Sequence, residues 1–221
     1  MINMERFLFL IIGLFMLSGL PTTQLTGQSK ADASAIIEKT SRIYKDWGGM
    51  DVKFTSHSRD EKNSTSESFE GAMRMKNEKF VLTTPDMIIW FDGTTQWTYL
   101  PYNKEVNINT PSADELHLIN PMMLLQDYKK NYNLTLTGES TSANAKSAFD
   151  ITLTPKKREQ LEKVDIQIEK NTSLPVKLVI TMRNKIFITV MLNEMKADNP
   201  SDELFTFPKP SYPDVEIIDL R

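Results

Sequence analysis

Cysteine is absent from all 221 residues. That removes disulfides, thiolate metal sites and cysteine nucleophiles together, along with the cysteine on which a bacterial lipoprotein is acylated. Histidine is almost absent too: His57 and His117, one in a strand-like and one in a helix-like segment, are too sparse for a metal site or a triad. There is no strand-to-helix Gly-x-Ser-x-Gly turn, no Walker loop and no dinucleotide fingerprint. The carboxylate pairs Asp114-Glu115 and Asp202-Glu203 fall at a helix start and in a loop, where acids serve capping and solvation. A dominant charge is missing as well, with 26 basic against 29 acidic side chains and a net charge of −3. The basic clusters Lys129-Lys130 and Lys156-Lys157-Arg158 are small, so no nucleic-acid footprint is present. The residues thus predict neither an enzyme nor a metal or cofactor protein.

A long hydrophobic run occurs once. Arg6 precedes Phe7-Leu8-Phe9-Leu10-Ile11-Ile12-Gly13-Leu14-Phe15-Met16-Leu17, and Gly19 and Pro21 end it, the layout of a secretory signal peptide. The run is shorter than the roughly 20 apolar residues of an anchor helix. Cleavage near Gly27, before Gln28, meets the small-residue requirement. Residues 1–27 are therefore expected to be a leader, and residues 28–221 a single exported, unanchored, monomeric domain. With 40% hydrophobic and 25% charged residues, such a domain buries a core without staples. No fixed repeat or low-complexity linker divides it.

What the chain does have is strand signal. Ser29-Lys30-Ala31-Asp32 has the form of a capping box, and Ile36, Thr40, Ile43, Tyr44 and Trp47 then recur at helical spacing until Gly48-Gly49. Extended segments follow at Val52–Phe54, Phe69–Met75 and Lys79–Thr84, then Ile88–Phe91 and Trp97–Tyr99 around Asp92-Gly93, then Val106–Ile108. Aspartate and glycine suit a hairpin turn because both tolerate positive φ. Ser112 can cap a helical turn bearing Asp114 and Glu115, and Asn120-Pro121 restarts a helix carrying Met122, Met123, Leu124 and Leu125. Strands return at Leu134–Leu136, Phe149–Leu153, Val164–Ile168, Pro175–Ile180 and Phe187–Leu192. The pattern predicts an α+β, mostly β fold: one long curved antiparallel meander with helices on one side.

The segment before Asp92 is apolar on both faces. Met87, Ile89 and Phe91 point one way, Ile88 and Trp90 the other, so each face needs a cover. Methionine is abundant, 12 in all, and Met73, Met75, Met87, Met122, Met123, Met182, Met191 and Met195 fall in predicted strands or helices. A methionine-rich core and an adaptable apolar pocket both account for this supply; the two-faced strand favours the pocket.

In order, these motifs resemble the outer-membrane lipoprotein carrier family, the periplasmic LolA-like proteins. The resemblance runs through Val52-x-Phe54, the strand containing Gly71 and ending near Lys79-Phe80, and Trp90-Phe91-Asp92-Gly93 with Trp97-x-Tyr99-x-Pro101. It continues through Asn120-Pro121-Met122-Met123-Leu124-Leu125, Leu153-Thr154-Pro155-Lys156 and Leu204-Phe205-Thr206-Phe207-Pro208. It implies an incomplete, unclosed antiparallel β-barrel whose concave face is covered by helices and opens to take up acyl chains. On that basis Phe54, Met73, Met75, Ile89, Trp90, Phe91, Trp97, Met122, Met123 and Leu125 are the candidate lipid-contacting residues. The segment from Pro121 to Lys129, with Pro121 and Leu124, is the candidate lid. Gamma-proteobacterial members carry an arginine before a proline that ties the lid shut; this chain reads Met75-Lys76-Asn77-Glu78-Lys79 there. Arg74 or Lys76 is the candidate for that lock, the other placement being the outer face.

The resemblance implies a carrier that moves acylated lipoproteins, or another envelope lipid, from an inner-membrane exporter to an outer-membrane acceptor. The alternative is a lipid- or lipoprotein-sensing module of an envelope-stress regulator, since related half-barrels occur there with an appended domain. A secreted hydrolase built on His57 or His117 is the third class.

Overall fold

The computed structural model describes residues 23–157 and 160–221. The expected leader lies outside the described residues up to residue 22, as do Arg158 and Glu159 of the basic cluster. Helix α1 (Thr23–Trp47) is followed by strands β1 (Met50–Asp60), β2 (Thr65–Lys76), β3 (Lys79–Thr83), β4 (Ile88–Phe91), β5 (Gln96–Leu100) and β6 (Glu105–Asn109). A helical insertion follows: α2 (Ala113–Ile119), a 3-10 turn (Pro121–Met123) and α3 (Leu124–Asn131). Then come β7 (Tyr132–Thr141), β8 (Ser147–Pro155), β9 (Leu161–Glu169), β10 (Pro175–Met182) and β11 (Ile186–Ala197). The chain closes with β12 (Glu216–Asp219).

All strands join one open sheet in the order β12-β6-β5-β4-β3-β2-β1-β11-β10-β9-β8-β7. The expected single meander is instead two, β1–β6 and β7–β11, joined by the long antiparallel pairing of β1 with β11. Sequence proximity predicts neighbouring hairpins and is silent about this seam. β12 adds a parallel edge strand on β6, a pairing across more than a hundred residues with no local signal. α1 begins before Ser29, so the Ser29 side chain caps nothing and donates to the Leu136 carbonyl of β7 at 3.0 Å. Its buried stripe is Ala33, Ile37 and Thr40. The Thr40 hydroxyl donates to the Ser173 carbonyl in the β9–β10 turn at 2.8 Å, pinning the helix across the second meander. Among the described residues no helix is long and apolar enough to cross a membrane.

The sheet has two cores. The larger lies on the concave face beneath the helices and joins Val52, Met73, Phe80, Ile89 and Phe91 of the first meander to Ile151, Ile166 and Leu178 of the second, with Ile37, Leu124 and Leu125 from the helices. The smaller lies on the outer face and contains Trp90, Val106 and Phe207, with Trp97, Tyr99, Ile108 and Tyr212 packed around them. Cross-strand pairing explains the division. Trp90 pairs with Trp97, and Trp97 with Ile108; paired residues share a face. Ile89 and Phe91 pair instead with Thr98 and Gln96, so the inner face turns polar at β5. The Asp92-Gly93 hairpin has a loop of residues 92–95, closed by the Asp92 carboxylate, which accepts from the Thr94 and Thr95 amides at 2.9 and 2.8 Å. Of the two turn residues only Gly93 takes positive φ.

Candidate functional site

The concave face does not pack flush against the helices. Between β1–β4, β10 and β11 on one side and the end of α2 on the other lies a cavity of about 360 Å³, within the usual range of about 300–1,000 Å³ for ligand pockets. Phe54, Met73, Leu82, Ile89, Leu178, Ile180 and Val190 form much of its wall, and Ile119, Asn120 and Met122 form its roof. No charged side chain lines it; Ser56, Ser58 and Asn120 are its polar residues.

The roof is built by local rules. Ser112 and Glu115 form a reciprocal capping box at the start of α2, and the Glu115 carboxylate accepts from the Ser112 amide at 2.7 Å. That bond, with one from the Ser112 hydroxyl, holds the Glu115 carboxyl below its ordinary pKa. At the other end Asn120 turns the chain. Its amide donates to the Leu116 carbonyl at 2.8 Å and its carbonyl accepts from the Met123 amide at 3.0 Å. Its side-chain Oδ1 accepts from the Met122 amide at 3.2 Å. Asn120 is fully buried, and its Nδ2 has no hydrogen-bond partner among the described residues.

A second cavity of about 550 Å³ lies beyond Met122. Met122 lines both, and the Tyr44 hydroxyl approaches its sulfur at 3.9 Å. Met75, Gly49, the β2–β3 turn residues Asn77 and Glu78 and Lys79 at the start of β3 contribute to the second wall, with Lys45 from α1. Burial pushes the Tyr44 hydroxyl well above its ordinary pKa, so it remains a neutral donor at physiological pH.

The structure sorts the candidates read from sequence. Phe54, Met73, Ile89 and Met122 come together on the apolar cavity, whereas Met75 lines the second one. Phe91 is buried against Phe80, with ring centroids 5.4 Å apart, and Leu125 is fully buried; neither lines either of these cavities. Met123 is partly buried against the same core. Trp90 and Trp97 are corrections. They face outward, and Trp90 packs edge-on against Phe207 and Tyr212 at 5.4 and 5.8 Å. The Trp90 face is thus covered by the C-terminal segment, while the Ile89 face carries both the helices and the cavity.

The lid expectation changes too. Pro121 opens a short 3-10 turn rather than a continuous helix to Lys129, and Leu124 is a core residue, 1% exposed. The cavity roof is the end of α2 plus this turn. Arg74 and Lys76 alternate with the inward Met73 and Met75 and therefore point outward. Arg74 pairs with Asp198 at 2.8 Å, and Lys76 reaches Asp202 at 3.0 Å and the Pro200 carbonyl at 3.2 Å. They tie the end of β2 to the chain after β11, not to the roof. His57 is exposed on β1, and buried His117 places Nδ1 3.3 Å from the Tyr132 hydroxyl.

The missed features were the unpaired Asn120 amide in the cavity roof, the second cavity and the C-terminal cover. The outer-face assignment of Trp90 had a signal: Gln96, Thr98, Asn107 and Asn109 alternate with Trp97, Tyr99, Val106 and Ile108, so only one face of β5 and β6 is apolar.

Comparison with known proteins agrees with this architecture. No curated protein matches the chain in sequence. A protein from Thermus thermophilus, described as an uncharacterized conserved protein, superposes with a TM-score of 0.56 at 14% identity, over 85% of this chain and 99% of that one. A DUF1329 family protein from Desulfovibrio piger superposes with a TM-score of 0.50 at 12% identity, over 80% and 97%. A LolA superfamily protein from Nitrosomonas europaea gives 0.47 at 13% identity, over 79% and 97%. The family described as outer membrane lipoprotein carrier protein LolA matches residues 24–186. With that match spanning most of the sequence, the chain belongs to the outer membrane lipoprotein carrier (LolA) family.

Proposed function

We propose that this protein is a periplasmic carrier that holds the acyl chains of a lipoprotein, or of another envelope lipid, and passes them from an inner-membrane exporter to an outer-membrane acceptor. The observation that carries the reading is the cavity without charged residues under α2, walled by flexible Met73, Met87 and Met122. Each methylene moved there from water contributes about 0.8 kcal/mol without demanding an exact ligand shape, and methionine adapts to irregular partners. Ten methylenes give about 8 kcal/mol gross, and association costs remove at least about 4 kcal/mol. The remainder corresponds to a dissociation constant of order 1 mM for one short chain. Such weak single-chain binding suits transfer, and longer or multiple chains bind more tightly. Release follows when an acceptor binds the cargo better than the carrier, or prefers a carrier with its roof displaced. In this reading the leader is cleaved near Gly27 and the mature protein acts as a monomer.

The test is native mass spectrometry and lipid extraction of protein recovered from the periplasm, paired with release of lipoproteins from inner-membrane vesicles. A co-purifying acylated molecule and measurable release are the expected results. An empty protein that releases nothing overturns the reading.

A further inference from the structure

Asn120 is the unusual residue of the apolar cavity. It is fully buried and lies in the roof. Its amide orientation is fixed, because Oδ1 must face the Met122 amide it accepts from at 3.2 Å. Nδ2 is therefore the group left without a partner among the described residues. A buried donor with no acceptor carries the full desolvation cost of that group, and such a group calls for an explanation in a native structure.

Its location supplies one. Two residues on, Met122 lines both the apolar cavity and the second cavity, so the turn carrying Asn120 is the boundary between them. One side of that boundary has no charged residue, and the other has Lys45, Glu78 and Lys79. The Met122 side chain that separates the two spaces is unbranched, with three rotatable bonds.

We infer that the two cavities form one site for an amphiphile: the chain occupies the apolar cavity, the ester or amide carbonyl joining chain to head accepts a hydrogen bond from Asn120 Nδ2, and the polar head occupies the cavity beyond Met122. This rests on the proposed reading that the apolar cavity holds acyl chains, and adds to it a linkage chemistry and a place for the head. A ligand with a carbonyl at the end of its chain satisfies Nδ2; an alkyl ether of equal length presents no carbonyl there.

The experiment titrates the purified exported protein with three probes of equal chain length: methyl dodecanoate, N-dodecanoylglycine and dodecyl methyl ether. Wild-type protein is expected to bind the two carbonyl probes roughly fivefold more tightly than the ether, the size of one neutral hydrogen bond. Asn120→Leu is expected to abolish that preference, with near-ultraviolet circular dichroism reporting that the variant is folded. An arm that needs no variant follows NMR signals of the wild-type protein. The Asn120 side-chain amide is expected to shift with the carbonyl probes and not with the ether, and the Met75 methyl in the second cavity to shift with N-dodecanoylglycine alone. Equal affinities for ester and ether, an unmoved Asn120 amide, or a Met75 methyl that ignores the glycine head overturns the inference while leaving acyl-chain binding standing. Failure of all three probes to bind wild-type protein overturns the carrier reading and this inference together.

Discussion

Trp90→Ala separates the two faces of β4 most cleanly. Trp90 is 5% exposed and makes edge-to-face contacts with Phe207 and Tyr212. Truncating a buried tryptophan costs about 3–5 kcal/mol, with the aromatic pairs included in that figure. With a urea dependence of about 2 kcal/mol per molar, the unfolding midpoint falls by roughly 2 M. This loss is expected to leave acyl-chain affinity unchanged wherever the variant is folded, because the indole lies on the outer face and the cavity on the inner. Circular dichroism in urea measures the first quantity, and titration with a dodecanoyl probe in buffer the second. Ile89→Ala is the counterpart: Ile89 lines the cavity, so part of its surface already lacks neighbours and the stability cost sits near the lower end, about 2 kcal/mol, while probe affinity changes. A stable Trp90→Ala protein that has lost acyl binding refutes the face assignment.

Gly71→Ala is expected to destabilise by about 1–3 kcal/mol in thermal unfolding, because a Cβ there collides with the Phe54 ring that covers it across β1 and β2. Arg74→Met, which removes the pair with Asp198, is expected to change stability by under about 1 kcal/mol and to leave probe dissociation rates untouched; faster dissociation would restore the lock role. Glu169, nearly buried, forms an ion pair with Lys146 at 2.9 Å and accepts from the Thr172 hydroxyl at 2.9 Å, and chiefly the lysine holds its carboxyl below the ordinary 4.5. A depressed carboxyl contributes stability above its unfolded pKa and loses it as pH falls through the folded one. The stability gap between wild type and Glu169→Gln, measured by urea unfolding, is therefore expected to be full at pH 7 and to shrink below about pH 4.5.

Much of this molecule is legible from residue order. The alternation in β1, β8, β9 and β10 predicts strands whose buried residues match the inner core, and the Ser112–Glu115 box predicts the start of α2. The two apolar faces of Ile88–Phe91 correctly demand two covers, because pleating leaves no other outcome. Which cover goes where depends on cross-strand pairing and on the segment after Phe207, whose contact with Trp90 and Tyr99 is tertiary. Met73 and Met75 show a finer limit: they share a face of β2 yet line different cavities, since the boundary between these cavities is set by a turn about 50 residues later in the chain. Asn120 reads from sequence as an ordinary cap, and it is one; only burial shows the donor left over.

The central claim is that acyl chains lie between the inner face of the sheet and the roof formed by α2 and its following turn. A crystal structure with a dodecanoyl ester brominated at its chain terminus tests it directly, since anomalous scattering locates the bromine without interpretation of lipid density. Bromine is expected within the cavity, in contact with side chains such as Met73, Ile89 or Leu178. Bromine on the outer face beside Trp90, or protein that crystallises unliganded at saturating ester, contradicts the claim.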